Sequence, residues 1–127
     1  TAGNLLPGRA GVDCHQPAGQ IEASRQLQIM SAVIDNMGLC LFVGPLPPEM
    51  EIIAQLMTSA LGRPFSASDV LEIGKNILRT ELAFNQAAGF GRISDRLPEF
   101  FKEEKLSPKD LVFDLSDNDL DRVHFNL

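Results

Sequence analysis

The 127-residue sequence has no tryptophan, no tyrosine, two cysteines and two histidines. Each scarcity excludes something. Two cysteines cannot hold a cubane iron-sulfur cluster, which takes four thiolates. Cys14, His15, Cys40 and His124 are the whole supply of sulfur and imidazole, and they show no CxxC or HxxxH spacing of the kind that self-contained zinc sites use. There is no apolar run of about 18 residues that would span a bilayer. The opening "TAGNLLPGRAG" lacks the basic and then apolar layout of a secretory leader. Basic residues are also in deficit: 11 Lys and Arg against 17 Asp and Glu give a net charge of −6. That surface repels nucleic acid and anionic membrane, so neither is an expected partner. The expected compartment is the cytoplasm, where Cys14 and Cys40 are read as reduced thiols rather than as a disulfide.

What is present is enough for one modest core, since 44% of the residues are hydrophobic. The aromatic content consists of eight phenylalanines, which have no polar handle and are expected to pack inside. Residues 1–19 are rich in Gly and Pro and have no periodicity. They are read as an irregular segment preceding a helical domain over 20–127, in a chain that looks cut from something larger.

The expected fold class is all-α, with three main helices, short helical turns and an irregular tail. From Gln20 to Met37, apolar Ala23, Leu27, Met30, Val33, Ile34 and Met37 recur at intervals of three and four, and Gly38 stands where a left-handed cap ends a helix. Pro48 opens a second helix that Gly62 closes, with Ile52, Ile53, Leu56, Met57, Ala60 and Leu61 as its expected buried stripe. Ser66 and Asp69 form a capping-box start for a third, running to Ala88 before Gly89. Val70, Ile73, Ile77, Phe84 and Ala88 give that helix its apolar side. Gly74 inside it costs about 1 kcal/mol relative to alanine, which a close helix contact would offset. Beyond it come a short helix near Pro98–Glu104, a strand-like or extended "LVFDL", and a last turn capped by Ser116 and Asp119.

No nucleotide loop, serine-hydrolase elbow or metalloprotease motif occurs. "GFGRIS" lacks a preceding strand and reads as a helix stop. "DLSDNDLD" lacks the central glycine and terminal glutamate of a calcium loop, and reads as a solvated cap. Arg79, Glu81, Arg92, Asp95 and Arg96 are expected to make surface pairs.

The segment "SAVIDNMGLC", Ser31 to Cys40, stands out. Asp35 faces the negative end of the helix macrodipole, and Cys40 lies two residues past the helix stop. Taken singly, each has an ordinary explanation: Asp35 as a solvated acid, Cys40 as a small buried hydrophobe. Each also has a functional one, as an acceptor aimed beyond the helix end and as a metal ligand.

Two stretches read together favour the second pair. "AVIDNMGLC" and "IGKNILRTELAFNQAAGFGRISDRLPEFF" resemble the C-terminal region of the aldehyde:ferredoxin oxidoreductase family of tungsten or molybdenum bis-pterin enzymes, in which a DxxGLC segment ends one helix. Here the first motif stands as Asp35, Gly38, Leu39 and Cys40. The second matches at Ile73, Gly74, Ile77, Phe84, Asn85, Gly89, Phe90, Arg92, Asp95, Leu97, Pro98 and Phe101. Asn76, Thr80 and Glu99 depart from the usual pattern.

The resemblance implies that Asp35 bonds the pterin, that the backbone at Gly38 and Leu39 lies against it, and that Cys40 supplies one thiolate of a four-iron four-sulfur (4Fe-4S) cluster. The other three thiolates would come from an upstream CxxCxxxC segment that is absent here. The complete enzyme would oxidise aldehyde plus water to carboxylate and pass electrons to ferredoxin. Its N-terminal and middle domains would be the partners of this chain, and a homodimer stays open. The chain by itself is expected to bind no cofactor, to contain no catalytic residue and to be inactive. Two alternatives remain: a non-catalytic helical interaction module with a buried Cys40, and a small zinc protein using Cys14, His15, Cys40 and His124.

Overall fold

A computed structural model describes residues 11–44, 47–124 and 127. It is all-helical, with five helices among the described residues: α1 (Gln20–Asn36), α2 (Pro47–Leu61), α3 (Ala67–Ala87), α4 (Phe100–Glu103) and α5 (Asp117–Arg122). Short 3-10 turns follow α1 at Leu41–Val43 and α3 at Arg92–Asp95. Helix α3 packs chiefly on α1 and also on α2.

The helix ends follow from local chemistry. The Ser66 hydroxyl accepts from the Asp69 N–H, and the Asp69 carboxylate accepts from the Ser66 N–H at 2.8 Å, closing a reciprocal cap on α3. Ser116 and Asp119 repeat the arrangement on α5. At the other end of α3, Gly89 has φ +90°, with Gly89 N–H donating to the Gln86 carbonyl and Phe90 N–H to that of Asn85. That paired bonding satisfies carbonyls which the helix leaves open. "GFGRIS" is therefore a helix stop, as expected. "LVFDL" is extended without forming a strand: Leu106 and Leu111 make an isolated bridge, and Phe113 N–H donates to the Phe101 carbonyl.

The core is small and aliphatic. Met30, Val33 and Ile34 of α1 meet Met50, Ile53 and Ala54 of α2 and Val70 of α3. Gly74 is buried at the α1–α3 crossing. A β-carbon there would strike the Ile29 carbonyl oxygen and come within 2.9 Å of Val33 Cγ2. The intrinsic helix penalty of this glycine is thus offset by a backbone-to-backbone approach that no other residue allows.

Three sequence expectations fail. In α2, Ile52, Leu56, Ala60 and Leu61 are exposed and the inward face is Met50, Ile53, Ala54 and Met57, because the sequence is apolar nearly all round and its periodicity does not fix the rotation. Most of the described phenylalanines do not fill the core: Phe65 packs at its edge, but Phe42 is 99% exposed, Phe84 73%, and Phe90, Phe100 and Phe101 are also exposed. The exposed ones sit on the far half of α3, in α4 and in the connections, beyond the three-helix contact. The expected apolar side of α3 likewise runs out before Phe84 and Ala88, which face solvent. The surface pairs expected of Arg79, Arg92 and Arg96 do form: Arg79 bonds Glu72 at 2.7 Å, and Arg92 and Arg96 both reach Asp121, at 3.7 Å and 2.7 Å.

Candidate functional site

Helix α1 ends through Gly38, whose φ of +67° is the left-handed conformation that side chains disfavour. Gly38 N–H donates to the Asp35 carbonyl and Leu39 N–H to that of Ile34, both at 3.1 Å. The chain reverses in a defined way, and Leu39 folds back, half-buried, against the core. Cys40 leaves that reversal in extended conformation (φ −70°, ψ 136°) and begins the turn at Leu41–Val43, its carbonyl accepting from Val43 N–H at 2.9 Å.

Asp35 therefore occupies the last turn of α1 and Cys40 the residue beyond the reversal, and both are exposed. No basic residue stands in that last turn to balance the acid. Exposure of the Cys40 thiol removes the buried-hydrophobe reading of that residue. Around the two polar groups lies an apolar apron of Met37, Leu41, Phe42 and Val43, each well exposed. Nothing lies within 4 Å of where a β-carbon at Gly38 would stand, so the backbone there presents an open face. One thiol, one carboxylate and a bare peptide surface thus stand exposed within six residues at the end of α1.

The zinc set is not assembled. His124 lies against Gln28, with Nε2 2.9 Å from Oε1, and among the described residues Cys14 and His15 gather with Asp13 rather than with Cys40. Asp13 escaped the sequence-based ligand set because only sulfur and imidazole were counted; the consecutive Asp-Cys-His triplet was the signal available. Both cysteines are free and exposed.

Comparison with known proteins matches residues 7–121 to the family described as aldehyde ferredoxin oxidoreductase, domains 2 and 3. Over 80 residues, the chain is 38% identical to a tungsten-containing aldehyde ferredoxin oxidoreductase of Pyrococcus horikoshii, 39% to that of Thermococcus kodakarensis and 38% to that of Pyrococcus furiosus. The matched stretch is 62% of this chain and 13% of each relative's length. No solved structure matches. With the family match spanning nearly the whole described chain, including the Asp35–Cys40 reversal and the Gly89 helix stop, the protein belongs to the aldehyde ferredoxin oxidoreductase family, in the region of its domains 2 and 3.

Proposed function

We propose that this chain acts as the C-terminal part of an aldehyde ferredoxin oxidoreductase-like enzyme, with residues 20–127 as the helical domain. In this reading Asp35 accepts hydrogen bonds from a pterin, the backbone of Gly38 and Leu39 lies against it, and Cys40 is one of four thiolates on a four-iron four-sulfur cluster. The observation that carries it is the exposed reversal at the end of α1, which holds a carboxylate, an open glycine face and a free thiol within six residues. When bound, a tungsten bis-pterin, or its molybdenum counterpart, would supply the redox chemistry that converts aldehyde and water to carboxylate.

The residues of this chain bind and orient. The Gly38 conformation aims the following peptide, Leu39 anchors it to the core, and the apolar apron excludes water once covered. The N-terminal and middle regions of the same enzyme are the covering partners, and ferredoxin is the electron acceptor. A homodimer is compatible with the reading.

The test is anaerobic co-expression of this chain with the upstream region of a family member, followed by metal analysis and aldehyde-dependent dye reduction. Cys40→Ser is expected to lose cluster iron, and Asp35→Asn to keep iron while pterin occupancy falls. Full iron content with Cys40→Ser would overturn the assignment. The chain alone, given iron and sulfide, is expected to form no stable four-iron cluster.

A further inference from the structure

We draw no further inference here: the strongest candidate, the groove of about 540 Å³ walled by Phe100, Phe101, Leu106, Leu111 and Phe113 between α4 and the extended segment that follows it, is an open apolar face, and nothing in the structure shows what covers it.

Discussion

Gly74 and Gly38 are required for different reasons, and substitutions separate them. At Gly74 a methyl group would collide with the Ile29 carbonyl, so Gly74→Ala is expected to destabilise the chain by roughly 1–3 kcal/mol despite alanine's better helix propensity. Urea unfolding measures this, and a stabilised variant would show that the helices have room to part. At Gly38 the surrounding space is open and the strain is purely one of backbone, so Gly38→Ala should cost about 1–2 kcal/mol without disturbing the core. Cys40 makes a kinetic prediction. In a Cys14→Ser background its exposed thiol should react with a thiol reagent as fast in the native chain as in the unfolded one, and strong native protection would contradict the exposed placement.

At the scale of elements, the caps of α3 and α5 are linked to pH. Asp69 is held below the ordinary carboxylate range first by the Ser66 hydroxyl, and Asp119 first by that of Ser116. A depressed folded-state value means that the stabilisation is present above the unfolded value and is lost as the pH falls through the folded one. Both helix starts are therefore expected to fray on acidification below the ordinary aspartate range and not between pH 5 and 8, which hydrogen exchange at residues 67–70 and 117–120 would show. Ser116→Ala should loosen α5 by about 1 kcal/mol.

These caps were legible in the sequence because side chain and backbone meet within three residues. So were the stops at Gly38 and Gly89. The rotation of α2 was not, since Ile52 and Ile53 are equally apolar and the choice between them is made by Val33 and Val70 on other helices. Nor was the gathering of Asp13 with Cys14 and His15, which depends on a turn tied down by Gln20. The helix end between Asp35 and Cys40 was legible too, while the exposure of those two side chains depends on where the core stops.

Across the whole molecule, charge ties α5 to the segment before it, while Val123 just beyond α5 is buried in the core. Arg96 pairs with Asp121 and, at 3.4 Å, with Asp117, which Lys102 also holds at 2.8 Å, and Arg25 donates to the Val123 carbonyl at 2.7 Å. Ion pairs at this exposure are screened by salt. Arg96→Ala, or high ionic strength, is expected to raise exchange across 117–124 while leaving α1–α3 protected, and an unchanged tail would show that apolar contacts hold it. The exposed phenylalanines describe the same molecule from the other side: its core closes three helices and leaves much of its aromatic surface outward, the kind of apolar surface that marks an interaction face.

The crossing at Gly74 also acts as a fulcrum. Ile29 lies six residues before Asp35, and at about 1.5 Å per residue the helix extends roughly 9 Å from that contact to the acid. A wedge inserted at the crossing would tilt α1 and swing Asp35 and Cys40 together. Under the proposed function, a buried substitution remote from Asp35 and Cys40 would thus register as misplaced cofactor contacts, even where the fold survives.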